Sequence, residues 1–588
     1  VVSSGTVDTT YLKGTLTVSA GGLSDSTNIA YGGVLYLNNH GSSEFTIVSS
    51  GGTEIVNSGG QEDGANVFFG VTEVISGGSD YFTTVSGGEQ YEKSGSIVSG
   101  LFLYSGGIQI MSGGVSYGVG VETYGNGRRS EQVVDSGATE GTFVYVGGEQ
   151  YVGYLGSAAD TAVYSGGQQI VTGTAYRTVI NYSAYETISG GIDYSASINS
   201  GGRQYISSGE ADAAIVYSGG SVIVYSGQAD DTTVSSGGYM ELYGGTAQQA
   251  QVAGRLYVSG ASAFYANVYS GGLIVVGSGG TAFETYLNGA TEYVSRGGAA
   301  TLTYIESGTM YLQAGGVAAG TTIYAGGNEY VSGASDGIAI ETGAVISSGG
   351  AQFAQFNGEL LSSYIEGGGQ FIGNGGYSYA TEISTGLQRV SSGGYATTTT
   401  VNSGGAQYAE GGTIVNTTIN SGGTVYVDYG RASANVIRNG GLEVVGRFGV
   451  ISANIVSTGG ELDVSGSATS TTISAGGVLA LSSSGTASGT TIGQGGFSST
   501  AARPAAITPA STDMAKMGFV SPTPGPANLR ATGGRSLDTP LKRHGVASAA
   551  QLGHGTAPVP VSTPAGGYHL DIAVVRHGTI CLVALHHG

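Results

Sequence analysis

Along most of the chain, short runs place apolar residues two apart and then stop. The runs "SVIV", "YMEL", "TVYV", "LEVV", "ELDV" and "VLAL" each follow a Gly-Gly pair. Counting from the second glycine, the fourth position is apolar at Val224, Leu242, Val276, Val331, Val427, Val445, Val464 and Leu481. The second is usually apolar too, at Val222, Met240, Ile274, Val425, Leu462 and Leu479. Residues two apart share one face of an extended strand, so both positions are expected to point inward. Ahead of each pair stands a second β-prone run, T-T-[VI], as in Thr232-Thr233-Val234 and Thr490-Thr491-Ile492. No apolar period of 3.6 residues occurs, which argues against helices.

The pattern recurs at a fixed period. Pairs beginning at Gly404, Gly422, Gly440, Gly459, Gly476 and Gly495 keep a spacing of 17 to 19 residues, and Gly201, Gly219 and Gly237 keep 18. The unit reads as strand, turn, strand, turn, with glycine supplying positive φ at the Ser/Asn/Ala-Gly-Gly turn. Such a unit cannot bury its apolar face alone, and stacking unit on unit solves this. All nine prolines, which would interrupt a backbone ladder, lie from Pro504 onward. The expectation is an all-β chain: a parallel β-helix, or solenoid, of roughly 27 coils of about 18–19 residues with a non-repeat tail. At about 4.8 Å per layer it would be roughly 130 Å long. The repeat array is placed at 1–497, a Pro/Gly/Ala-rich linker at 498–567, and a short β segment, cut off at the end of the chain, at 568–588.

Composition narrows the function. The formal net charge is −21, and residues 1–500 carry 12 Lys/Arg against 37 Asp/Glu. With no basic stripe to displace counterions, nucleic acid is not an expected partner. A dispersed acidic surface suits an extracellular protein that resists nonspecific adsorption. The single cysteine, Cys581, leaves stability to the fold. No apolar run is long enough to cross a membrane as a helix. A chain beginning at Val1 with no signal pattern is expected to be a processed form or a fragment.

The motif T-T-[VI]-x-S-G-G-x-x-x-V-x-x-G resembles the strand-loop-strand repeat of AIDA-type autotransporter passengers, the self-associating adhesin family that includes TibA. The resemblance covers residues 1 to about 497. It implies a passenger exported across the outer membrane to the bacterial cell surface or medium, where it mediates cell–cell aggregation, adhesion and biofilm growth. Its implied partners are like passengers and the glycans or proteins of host or neighbouring cells. It further implies O-glycosylation of repeat Ser and Thr with heptose by a heptosyltransferase. The family's membrane β-barrel has no counterpart in 501–588, a segment of 88 residues ending in "LHHG".

Turn serines are the candidate glycan acceptors: Ser50, Ser58, Ser105, Ser165, Ser200, Ser218, Ser236, Ser403 and Ser421. Turn chemistry alone also accounts for them. The third position after Gly-Gly, expected to face outward, is often aromatic. Tyr91, Tyr151, Tyr205, Tyr330, Tyr408 and Tyr426 form a candidate self-association stripe, with Phe353 and Phe371 at the same position. Its plainer reading is stacking of neighbours along the ladder; the sharper one is an interface for another β-helix or a carbohydrate. Seven of these eight aromatics follow Gln or Glu, as in "GGEQY".

No cofactor or metal is expected. A calcium β-roll needs Asp in register every nine residues, whereas here the period is 18 and Asp is scattered. The Asn-x-Ser/Thr matches "NYS" and "NTT" are at the level of chance. The acids Glu89, Glu149, Glu443, Glu461 and Asp463 sit at differing repeat positions, so no catalytic residue and no enzyme is expected. The alternative is a carbohydrate-active β-helix enzyme of tailspike or polysaccharide lyase type. In the tail, His544, His554, His569, His577, His586, His587 and Cys581 are not at zinc-ligand spacing.

Overall fold

A computed structural model describes residues 1–124, 127–500, 507–509, 519–520, 570–576 and 579–585. Among them every regular element is a strand, and parallel pairing runs from coil to coil through about 27 turns of a β-solenoid. The chain divides into two units, Val1–Gly534 and Arg535–Gly588. In the second, Leu570–Arg576 and Thr579–Leu585 pair antiparallel. Most of the expected linker, and all six tail histidines, lie outside the described residues.

Three strand segments recur per coil where the sequence reading anticipated two, and in some coils two of them run on as one strand, as at Tyr185–Tyr194 and Tyr286–Val294. In a representative coil, strand A is Ser221–Val224, strand B is Gln228–Asp230 and strand C is Thr233–Val234. Each pairs in register with its counterpart one coil on: Val222 with Met240, Ala229 with Ala247, Val234 with Val252. Strand B was missed because its inward residue is small, as at Ala211, Ala229, Ala247 and Ala263, and Ala carries no β signature.

The inward positions form five columns. Strand C supplies an aliphatic one (Ile198, Val216, Val234, Val252, Val268), and the fourth position of strand A supplies another (Ile206, Val224, Leu242, Val258, Val276), all essentially buried. The expected inward pair of strand A therefore holds in these coils, with Val222 and Met240 also buried. The residue before strand C is often a buried Thr, such as Thr178, Thr232 or Thr303.

The corners rest on two different glycines and on one residue that need not be glycine. The first glycine of the pair has positive φ: 80° at Gly219, 77° at Gly422 and 73° at Gly440. Its N–H donates to the next coil's first glycine, as Gly219 N to Gly237 O at 2.8 Å and Gly422 N to Gly440 O at 2.8 Å. The second glycine is required by proximity. A Cβ at Gly220 would lie 2.4 Å from the Ile198 carbonyl oxygen, and one at Gly423 2.5 Å from that of Val401. Between strands B and C the chain turns through a left-handed residue of varied type: Ala213 (φ 55°), Asp231 (48°), Tyr265 (57°), Leu302 (58°). That turn aims two side chains three apart at each other inside the coil, as Thr139 and Thr142, 2.9 Å apart, and Ser378 and Thr381, 2.7 Å apart.

Gly220→Ala should therefore destabilise its coil by about 1–3 kcal/mol, as overpacking does, while Ser218→Ala two residues earlier should be near neutral. Local hydrogen exchange is the suitable measurement, since repeat arrays open locally.

Candidate functional site

The surface presents its chemistry as lines along the array. At the corner before strand A, Ser50, Ser165, Ser200, Ser218, Ser236, Ser403 and Ser421 are all exposed, as is Ser58 at the turn after strand A. In four of them, Ser200, Ser218, Ser403 and Ser421, the hydroxyl lies next to the first glycine of the coil stacked on it. A Cβ at Gly219 would come 2.6 Å from Ser200 Oγ, and one at Gly440 2.6 Å from Ser421 Oγ. Glycine there leaves the serine open to solvent on the outer side of the corner. Ser105 differs: it is half-buried, with φ 48°, beside the longer Thr123–Ser130 connection where Ser130 Oγ bonds Glu122 O.

The stripe residues face outward from strand A. Tyr91, Tyr151, Tyr205, Tyr330 and Tyr408 are half-buried by their neighbours, and Tyr426 is exposed. The rings stack along the array. Tyr293, Tyr311, Tyr330, Phe353 and Phe371 follow one another with centroids 4.9, 5.3, 4.7 and 5.0 Å apart and interplanar angles of at most 16°. Tyr408 and Tyr426 stack at 4.9 Å. Neighbours thus cover the ring faces, and edges and hydroxyls point to solvent. A sugar cannot lie flat on such a ladder. The stripe is also wider than its aromatics: in register between the N-terminal tyrosines stand Ile55, Val74, Ile110, Val133 and Ile170. These Ile and Val rungs were absent from the sequence reading because their type does not distinguish outward from inward.

The Gln or Glu that precedes most of these aromatics has a different role. It occupies the second position of strand A and points inward, so that position is polar in many coils rather than usually apolar. Gln90, Gln109, Gln132, Gln150 and Gln169 are fully buried and joined amide to amide. Gln109 Nε2 donates to Gln90 Oε1 (3.2 Å), Gln132 to Gln109 (2.9 Å), Gln150 to Gln132 (2.8 Å) and Gln169 to Gln150 (2.7 Å). A second ladder runs Gln370 to Gln352 (2.8 Å), Gln388 to Gln370 (2.6 Å) and Gln407 to Gln388 (2.6 Å). Each ladder ends on a carboxyl, Gln90 donating to Glu73 (2.9 Å) and Gln352 to Glu329 (2.8 Å). The signal that could have found them was "GGEQY" itself, since a residue next to an outward Tyr must face in.

The five acids singled out from sequence do not converge. Glu443 is buried, its carboxyl accepting from Asn435 and Asn454 (2.9 and 2.7 Å), and burial pushes it up to about 7. Glu149 pairs with Arg129, and Glu89 accepts from the Tyr91 hydroxyl at 2.8 Å. Glu461 is exposed and Asp463 half-buried. Among the described residues no three His, Cys, Asp or Glu side chains gather in a group able to hold a metal ion.

Gln388→Leu should cost about 2 kcal/mol or more, because it leaves the Gln407 amide and the Thr399 hydroxyl without their acceptor in the interior. Replacing Gln352, Gln370, Gln388 and Gln407 together by Leu should cost less per site, as urea melts of the two variants would show.

No family model matches the chain, and no curated protein matches it. Among solved structures, a TibC-catalysed hyper-glycosylated fragment of TibA is 34% identical, covering 48% of this chain and 99% of that fragment, with a TM-score of 0.43. A variant of the PL6 family alginate lyase AlyGC is 9% identical over 84% of this chain and 97% of its own, with a TM-score of 0.18, and carries no argument. The kinship with TibA rests on the sequence identity; the backbone superposition adds nothing to it. Through the matched part of its repeat array, the chain is thus similar in sequence to the TibA fragment.

Proposed function

We propose that this chain is the passenger of a bacterial surface or secreted adhesin, acting in cell–cell aggregation, adhesion and biofilm formation without an active site. The observation that carries this reading is the 34% identity over 99% of the TibA fragment, on an array whose chemistry is repeated as lines instead of gathered in a cleft. Many weak contacts along such lines, made at once with a like passenger or a neighbouring cell surface, sum to firm attachment. The corner serines carry sugar, as the hyper-glycosylated neighbour suggests, added by a heptosyltransferase that reaches them on the outer side of the corner. The four buried carboxyl pairs lie in the interior, out of reach of a polysaccharide, and the five acids singled out from sequence do not converge, which favours this reading over a lyase or hydrolase.

Residues 1–497 displayed on non-aggregating cells should make them settle, and the combined change of Tyr330, Tyr408 and Tyr426 to Ser should abolish settling while the circular dichroism of the rod is unchanged. Settling that persists in that variant would remove the stripe from the mechanism. Intact mass of protein from the native host should exceed the sequence mass and drop when Ser200, Ser218, Ser236, Ser403 and Ser421 become Ala. A mass equal to that of the bare chain would rule out the sugars.

A further inference from the structure

The interior holds carboxyl groups in a recurring arrangement. Where the middle residue of strand B is acidic, the second residue of strand A in the same coil is acidic too. This happens four times: Glu54 with Glu62, Glu73 with Asp80, Glu186 with Asp193, and Glu329 with Glu341. All eight side chains are fully buried. None takes part in the ion pairs formed among the described residues, which join Arg129–Glu149, Arg177–Asp160, Arg296–Asp336 and Arg389–Glu410.

What faces each pair is neutral or acidic. Glu54 and Glu62 meet Ser43, Thr46, Glu73 and Asp80. Glu73 and Asp80 meet Thr83, Gln90, Glu54 and, from further out, Asp63. Glu186 and Asp193 meet Thr178 and Gln204, and Glu329 and Glu341 meet Thr321, Gln352 and Glu292. A fifth buried acid beside the first two pairs, Glu92, accepts from Ser116 at 2.6 Å and Gln109 at 3.1 Å.

The donors present fall short of what ionised carboxyls would need. In three pairs the next coil's glutamine clamps the site. Gln90 Nε2 reaches Glu73 (2.9 Å) and Asp80 (2.6 Å), Gln204 reaches Glu186 (2.8 Å) and Asp193 (3.2 Å), and Gln352 reaches Glu329 (2.8 Å). Even so, both oxygens of Glu62 and one each of Glu54, Glu73, Glu186, Asp193, Glu329 and Glu341 find no donor. Within three of the pairs the two carboxyls lie within hydrogen-bond reach of each other. Two carboxylates are both acceptors, so such a contact exists only if one of them keeps a proton. Two bare negative charges side by side, away from water and without a cation, would be strongly disfavoured.

We propose that each of these four coils retains at least one proton per carboxyl pair as a structural element, so that losing it in alkaline solution opens these coils first while the coils joined by glutamine alone stay closed. The direction of titration agrees. Burial pushes Glu54, Asp80, Glu186 and Glu329 up to about 7, and Glu92 to about 8. Burial first, then the charge of a neighbouring carboxylate, pushes Glu62, Glu73, Asp193 and Glu341 well above the ordinary carboxylate range. An acid whose folded-state pKa is raised favours the fold fully below its unfolded pKa. It withdraws that stability as pH rises through the folded value, here from the ordinary carboxylate range up to and beyond about 7. The acid-paired coils are thus firmest in acid and weaken from the ordinary carboxylate range upward, through neutral pH and beyond it where a carboxyl is raised furthest. The section holding Glu54, Glu62, Glu73, Asp80 and Glu92, with two pairs in consecutive coils, should yield first.

Hydrogen exchange of the full chain at pH 6 and pH 9, corrected for intrinsic exchange rates, tests this. Protection at 54–92, 186–193 and 329–341 should fall at least tenfold more than at 256–276 and 370–407, since each carboxyl still protonated in the closed coil but ionised on opening weakens that coil about tenfold per pH unit. The double variant Glu186→Gln, Asp193→Asn should lose the excess fall at its own coil and keep it at 329–341. Infrared spectra of the unaltered chain at pH 7 should show protonated carboxyl absorption that disappears on unfolding in urea, a readout that does not depend on the variant folding. A uniform fall in protection along the array, or no protonated carboxyl absorption at neutral pH, would overturn the proposal.

Discussion

The structure depends on how closely one coil lies on the next. A parallel ladder sets the spacing at about 4.8 Å, and at the A corner the turning backbone must meet that spacing while pressing on the carbonyl below. The second glycine of each pair exists for this contact: at Gly202, Gly220, Gly423 and Gly441 a Cβ would sit 2.4 to 2.5 Å from a carbonyl oxygen of the previous coil. The rest of the repeat follows. The first glycine supplies the left-handed φ that brings the chain into position, its N–H continues the ladder round the corner, and proline, absent before Pro504, enters the described ladder only at Pro509, opposite Ile492 near its end. Exposed serines line this corner because a small polar residue fits beside the next coil's glycine.

Inside, close stacking makes polar columns tolerable. A buried amide with no partner is costly, yet stacking the same residue at each coil provides the partner, the amide of one Gln meeting the carbonyl of the last. The ladders therefore specify register: a slip of one residue in strand A would put Gln388 outside and expose a run of aliphatics to water. Where a ladder begins, the first Gln needs an acceptor, and a carboxyl fills the place at Glu73 and Glu329. Acids that might be taken for catalytic candidates are in these cases part of the packing. The outer surface is left to act by repetition along its length.

How far the surface was legible depended on whether the determinant was local. Ser218 and Ser421 were found because a Ser-Gly-Gly turn needs only its own residues. Tyr330 and Tyr426 were placed outward correctly, because alternation from an inward Val is a property of one strand. The inward turn of Gln90 and Gln352 was implied by the same alternation but obscured by the expectation that interiors are apolar. The corner between strands B and C could not be read at all. Ala213, Asp231, Tyr265 and Leu302 share no chemistry; they share a position that the stacked coils hold in the left-handed region.

By itself the sequence determined the class of fold, the coil length and the outward and inward sides of strand A, because period and alternation are one-dimensional facts that survive without coordinates. Tertiary structure decided that three strand segments recur per coil, that Tyr rings spend their faces on each other, and which acids meet inside. Glu186 and Asp193 are seven residues apart and Glu329 and Glu341 twelve, so no fixed spacing marks the pairs. They come together because the coil closes on itself, and only closure can bring two strands of one turn face to face.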